Sequence, residues 1–317
     1  MIEARPRTIR VRHASGAQFL HRDTVEMTRN LAIAALLALM GFGSACTQAD
    51  SPTSPTPSEP DTPIFYTAIG ASDGIGFGGS SPCLPFADCP TGTGYVQTLR
   101  RRLAEGGRTV NHQNLSIPGS VLSKAVFDLA ASAGRPIDSL AGNFIDREAP
   151  FVSTSTTHVT IFAGGNDANT IAFAARSQGG SDVNGFVDAQ VRQWGTDLED
   201  LVARIRARAP NARIVALNLP NLAASPYLSS NPIVEKSLMQ RVAVGLSDRV
   251  NALTSRNVLV VDLMCDARLY LPSSYAADGF HPNDTGYAVF TELTLPALRD
   301  GTNRAPSTTC PQRSVFP

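Results

Sequence analysis

The stretch Ile64-Phe65-Tyr66-Thr67-Ala68-Ile69-Gly70-Ala71-Ser72-Asp73 is an apolar run rich in aromatic and β-branched residues that halts at a glycine and delivers a serine to the turn beyond it. A short continuous apolar run closed by a turn signal predicts a strand, here Ile64–Ile69, buried on both faces. The same pattern returns at Thr109–Gln113, His158–Ala163, Arg213–Leu217 and Asn257–Val261. Helical periodicity fills the gaps, over Tyr95–Ala104, after Gly119, over Asn184–Arg208, near Pro232–Arg256 and from Asp284 onward, where Asp284 is a candidate cap. In Asn184–Arg208 the residues Val187, Val191, Trp194, Leu198, Leu201 and Ile205 recur at three and four, so Trp194 belongs to a buried stripe. Five strand-then-helix cycles predict an α/β fold, a three-layer α/β/α sandwich with a mostly parallel five-stranded sheet of the flavodoxin-like kind. Segment 132–157, with Pro136 and Pro150 and weak periodicity, reads as an insertion or rim loop.

The 317 residues, 43% of them apolar, are enough for one sizeable core. Ahead of it, Leu31–Met40 is an apolar run that follows Arg29 and closes with Gly43-Ser44-Ala45-Cys46. At ten residues it is too short to span a bilayer, which takes roughly 20, and it reads as an export signal within residues 1–45. Small residues leading into a cysteine resemble the lipobox of bacterial lipoproteins, which makes Cys46 the expected lipid anchor and the cell envelope the expected location. Residues 1–26 do not look like a compact charged leader, so Met27 is a candidate start. Residues 46–63 hold Pro52, Pro55, Pro57, Pro60 and Pro63 among serines and threonines, the composition of an extended linker. Residues 64–317 then form the expected catalytic domain.

Residues 1–45 carry six of the 27 basic and three of the 27 acidic groups, leaving 21 basic and 24 acidic, a net charge of −3. Lys124 and Lys236 are the only lysines and no basic stripe appears, so nucleic-acid binding has no support. After Cys46 come Cys83, Cys89, Cys265 and Cys310, and an even count in an exported chain favours two disulfides. The short loop between Cys83 and Cys89 favours their pairing, which leaves Cys265 to tie down the Cys310 tail. Metal ligation is the rival reading, but the spacing without neighbouring histidines is poor ligand geometry. No metal or cofactor is expected.

The chemistry concentrates at strand ends. Asp278-Gly279-Phe280-His281-Pro282-Asn283 sets an acid and an imidazole three residues apart, and Ser72 offers the hydroxyl they would activate. A serine attacks poorly at neutral pH until a base takes its proton, and histidine is the side chain suited to that task. Of the histidines beyond the signal segment, His158 lies at a strand start and His112 within a strand, which leaves His281. A rival motif, Gly74-Ile75-Gly76-Phe77-Gly78-Gly79, has the glycine spacing of a dinucleotide-binding loop. It is followed by Ser80-Ser81-Pro82, a poor helix start, and the second strand ends in Asn111-His112-Gln113-Asn114 with no acid for a ribose.

Four blocks together resemble the SGNH, or GDSL-type, hydrolase superfamily: Gly70-Ala71-Ser72-Asp73, Asn114-Leu115-Ser116-Ile117-Pro118-Gly119, Gly164-Gly165-Asn166-Asp167 and Asp278-Gly279-Phe280-His281. The resemblance implies a serine esterase, with Ser72, Asp278 and His281 as catalytic residues. It also implies an oxyanion hole made from the Ser72 and Gly119 amides and the Asn166 side chain. The chain departs from the family at Ala71, where an aspartate is usual, and at Ser116, where glycine is usual. Any hydrogen bonds of the missing aspartate must come from another group, with Asp73 as a candidate, or be absent. The family does not fix the substrate. Loops 74–94, 132–157, 168–183 and 219–232 are expected to do so, and their small and polar residues favour short-acyl or carbohydrate-linked esters. An acyltransferase, or an inactive surface-tethered binding protein on the same fold, are the alternatives.

Overall fold

In the computed structural model, residues 62–136 and 140–317 are described. The export signal, Cys46 and the linker up to residue 61 lie outside the described residues. Strands β1 (Ile64–Gly70), β2 (Val110–Asn114), β3 (His158–Phe162), β4 (Arg213–Leu217) and β5 (Leu259–Val261) pair in parallel in the order β2-β1-β3-β4-β5. The three inner strands are buried along nearly their whole length, which is why they read as unbroken apolar runs. At one edge β2, Val-Asn-His-Gln-Asn, is polar and only partly covered. His112 on this strand leans against Tyr66 with ring centroids 5.3 Å apart, and burial lowers its pKa to about 4.

The helices are α1 (Tyr95–Leu103), α2 (Lys124–Ser132), α3 (Phe144–Arg147), α4 (Gly165–Gln178), α5 (Val183–Arg208), α6 (Ile233–Ala252) and α7 (Asp284–Asp300). From β1 the chain crosses outward to β2, then turns back over β1 to reach β3, β4 and β5 in succession. Right-handed crossovers in opposite directions put their helices on opposite faces. Accordingly α1 and α7 pack together, while α2, α4, α5 and α6 form a second connected layer. The α/β sandwich is the one the strand–helix alternation implies. Trp194 of α5 is buried as its stripe requires, and its indole N–H donates to Asp167 Oδ1 at 3.0 Å.

Three local readings change. Segment 168–183, expected as a loop, is largely α4, an Ala- and Asn-rich helix with seven buried residues that begins at Gly165. Strand β5 starts two residues later than expected, because Asn257 takes a left-handed φ of 56° and closes the 3₁₀ turn Leu253–Arg256. The cap of α7 is Asn283, whose side chain accepts from the Thr285 and Gly286 amides; Asp284 instead accepts from the Ser80 amide at 2.9 Å.

Both disulfides form as the spacing favoured, Cys83–Cys89 and Cys265–Cys310. The second ties the carboxyl-terminal tail to the segment after β5, and all four sulfurs are thereby withdrawn from metal ligation. Among the described residues no helix is long and apolar enough to cross a membrane.

Candidate active site

The connections leaving β1 and β3 run in opposite directions, so a crevice opens between the carboxyl ends of these neighbouring strands. Ser72 stands at one lip, in the 3₁₀ turn Ser72–Ile75 directly after β1. Asn166 stands at the other, in the first turn of α4 after β3. The loop between β5 and α7 brings His281 over the crevice.

Ser72 Oγ lies 2.9 Å from His281 Nε2, and His281 Nδ1 lies 2.6 Å from Asp278 Oδ2. The other Asp278 oxygen accepts from the Phe280 and His281 amides at 2.9 and 3.0 Å. Burial acts to raise the Asp278 pKa, but the His281 side chain and these two amides outweigh it and hold the carboxyl below its ordinary value. A carboxylate that accepts a hydrogen bond from Nδ1–H keeps the proton on that nitrogen and leaves Nε2 as the free base of the neutral ring, facing the serine hydroxyl. The imidazole is flanked by two aromatic rings, Phe77 at 4.6 Å and Phe280 at 4.9 Å between centroids.

The loop carrying His281 is fixed from several sides. Ala276 donates its amide to the His281 carbonyl at 2.9 Å, and the Asn283 side chain donates to the Ser273 and Tyr275 carbonyls at 2.9 Å each. Gly78 approaches so closely that a Cβ there would stand 2.9 Å from His281 Cβ and 2.6 Å from the Pro282 carbonyl oxygen, at a φ of 93°. The glycines after Ser72 are therefore a close-fitting wall of this site. No helix follows them directly, and the nearest one, α1, starts at Tyr95.

Of the groups named for the oxyanion hole, Ser72 and Asn166 line one small cavity together with Ser120, the residue after Gly119. Gly119 turns with a φ of 79°, and neither its amide nor that of Ser72 donates to another group among the described residues. Asn166 spends one Nδ2 proton on the Ser120 carbonyl at 2.9 Å, which fixes the amide plane beside Gly119. Its second proton has no acceptor among the described residues. Next to it Asp167 is fully buried and accepts from the Leu122 amide at 2.8 Å as well as from Trp194. Desolvation pushes its carboxyl up to about 6 against these bonds.

One residue of the site went unread in the sequence. Glu148, in the segment taken as a rim loop, is completely buried, and its Oε2 accepts from the Gly70 amide at 3.0 Å. Burial drives its pKa well above the usual carboxylate range, against the opposing Gly70 amide. Glu148, rather than Asp73, thus grips the turn that Ala71 cannot. Nothing in the sequence sets it apart, since the same weakly patterned segment also holds Asp138 and Asp146. Ser116, the other departure from the family, fits because Gly70 and Gly74 leave room: a Cβ on Gly74 would meet its Oγ at 2.0 Å. Asp73 stays half-buried beside the pair; desolvation raises its pKa while the His281 charge opposes the rise.

Comparison with known proteins bears on the fold and the family. No curated protein matches the sequence. Among solved structures, the lipase Lip_vut3 from a goat rumen metagenome aligns at 18% identity and a TM-score of 0.52, covering 76% of this chain and 99% of that one. That likeness shows the shared fold. An extracellular lipase from Streptomyces rimosus aligns at 19% identity and a TM-score of 0.47, covering 75% of this chain and all of the other. Axe2, an acetylxylan esterase from Geobacillus stearothermophilus, aligns at 16% identity and a TM-score of 0.48, covering 78% and 99%. Residues 68–289 match the profile of the GDSL-like Lipase/Acylhydrolase family, and the chain belongs to that family of ester hydrolases.

Proposed function

We propose that the protein is a serine esterase that cleaves short-acyl carboxylic esters through an acyl-serine intermediate. The observation that carries the reading is the unbroken chain of short contacts from Ser72 through His281 to Asp278. In this reading Ser72 Oγ attacks the ester carbonyl and its proton passes to His281 Nε2. Negative charge develops on the carbonyl oxygen, where the Ser72 and Gly119 amides and Asn166 Nδ2 receive it. Collapse of this intermediate expels the alcohol, which takes the proton back from His281. Water then repeats the sequence on the acyl-serine, with His281 as base and Ser72 as leaving group. Asp278 holds the ring and stabilises the imidazolium without itself being protonated.

The short-acyl preference is supported by the small space at Ser72, a cavity of about 10 Å³ lined in part by Ser120, Phe144 and Asn166. A carbohydrate or other polyhydroxylated alcohol is supported by the neighbouring cleft of about 160 Å³, whose lining includes Asn169, Tyr227, Asn231 and Glu235. We further propose that the protein is exported and tethered to the bacterial cell envelope through Cys46. Against the inactive-binder alternative, the Glu148–Gly70 contact supports a nucleophile turn held without the usual aspartate at position 71.

Fluorophosphonate labelling of the purified protein tests the reading. Covalent modification is expected in the wild type and absent in Ser72→Ala. Folded wild-type protein that takes no label and hydrolyses no nitrophenyl ester overturns it.

A further inference from the structure

Two cavities share a wall beside Ser72. The first is the 10 Å³ space at the nucleophile. The second, about 30 Å³, lies beyond it and is apolar, walled by Leu219, Pro220, Leu222, Leu269 and Phe290 among others. Asp73, Phe162, Gly165 and Phe280 line both, so these four residues form the partition. Gly165 has no side chain to remove. Phe162 is buried in β3 and held edge-on by Tyr95 and Phe290, at 6.4 and 5.3 Å between ring centroids. Asp73 belongs to the nucleophile's own turn.

Phe280 is different. It is half-buried on the loop between Gly279 and His281, and its ring tip lies 3.3 Å from where a Gly165 Cβ would stand. Its ring packs edge-on against His281 at 4.9 Å and against Tyr227 at 5.2 Å. The backbone beneath is locked, because Gly279 has a φ of 68° and accepts from the Tyr227 amide at 2.9 Å. The ring therefore stands as a fixed panel between a space that holds no more than a methyl group and an apolar space with nothing polar to offer except the edges of Asp73, Ser274 and Tyr275.

We propose that Phe280 is a specificity-determining residue, the wall that restricts the acyl group to acetyl size, and that the space its ring vacates and the apolar pocket beyond it together take a longer acyl chain. The inference rests on the esterase reading of the same site. It adds a residue and a direction: shortening position 280 joins the two spaces, and each methylene then buried should improve specificity about fourfold.

The test is the ratio of kcat/KM for nitrophenyl hexanoate to that for nitrophenyl acetate, measured on the full chain. Wild type should favour acetate. Phe280→Ala should raise the hexanoate-to-acetate ratio at least tenfold, and Phe280→Leu should raise it by less. An unchanged ratio in folded Phe280→Ala overturns the proposal, even if activity on both esters drops together through disturbance of His281. If the alanine variant does not fold, the leucine variant decides in the same way. Wild type that favours hexanoate also overturns it. Failure of the esterase reading itself is distinguishable, since the wild type would then cleave neither ester.

Discussion

Glu148 Oε2 and the Gly70 amide, 3.0 Å apart and 78 residues distant in sequence, join the segment before β3 to the end of the strand that presents Ser72. The carboxyl is wholly buried, so the bond is not one water can replace. It fixes the backbone two residues ahead of Ser72, directly before Ala71.

Removing that acceptor should be costly. Glu148→Leu leaves the buried Gly70 N–H unpaired, an expected loss of about 1–3 kcal/mol in unfolding free energy. Glu148→Gln keeps a carbonyl oxygen for the amide and should recover most of both stability and kcat. Urea unfolding and steady-state kinetics on the two variants check this; equal damage from both would mean that the carboxyl acts by something other than accepting this bond.

Asp278→Asn keeps the shape of the His281 contact but offers a donor where the ring needs an acceptor. The imidazole then turns its proton toward Ser72, and kcat should fall by roughly 10³–10⁴ with little change in KM. Crystallographic or circular-dichroism evidence that the variant is folded, together with undiminished turnover, would remove Asp278 from the mechanism.

Asp167 makes stability depend on pH in an uncommon direction for an aspartate. Its folded-state pKa, about 6, lies above the ordinary carboxylate value. Below about pH 4 both folded and unfolded chains hold the proton and the contribution is complete; as pH rises toward 6 the unfolded chain ionises first. Stability from this group should therefore decline across that window by on the order of 2–3 kcal/mol. Asp167→Asn should flatten that part of the curve. The readout is the difference in unfolding free energy between pH 4 and pH 6, and an identical slope in wild type and variant would rule the assignment out.

The two disulfides should differ in weight. Cys265–Cys310 closes a separation of 45 residues and Cys83–Cys89 one of 6. From loop-closure entropy the first should contribute about 4 kcal/mol and the second about 2. Thermal unfolding of the paired Cys→Ser variants should rank them in that order; a larger loss from the Cys83/Cys89 pair would contradict it.

The carboxyl-terminal half of the site was legible because its chemistry is local. Asp278 and His281 sit three residues apart, so the turn that joins them brings the carboxylate to the ring without help from elsewhere. Segment 168–183 was misread because its alanines and asparagines give weak periodicity; the helix is held by burial against neighbouring helices, a force that no window of sequence contains. The α7 cap passed from Asp284 to Asn283 for a related reason, since Ser80 draws Asp284 away from the helix.

By itself, the amino-acid sequence determined the parallel sheet and its helices, the order of the four motif blocks, the pairing Asp278–His281 and the favoured disulfides, because apolar periodicity and short-range spacing are properties of the chain. Tertiary structure alone decided that Glu148 serves the Ser72 turn, that Gly78 makes room for His281, and that Phe280 divides two cavities. Each of those depends on atoms far apart in sequence meeting in a dry, close-packed interior, where one misplaced methyl group or unpaired amide is enough to change the outcome.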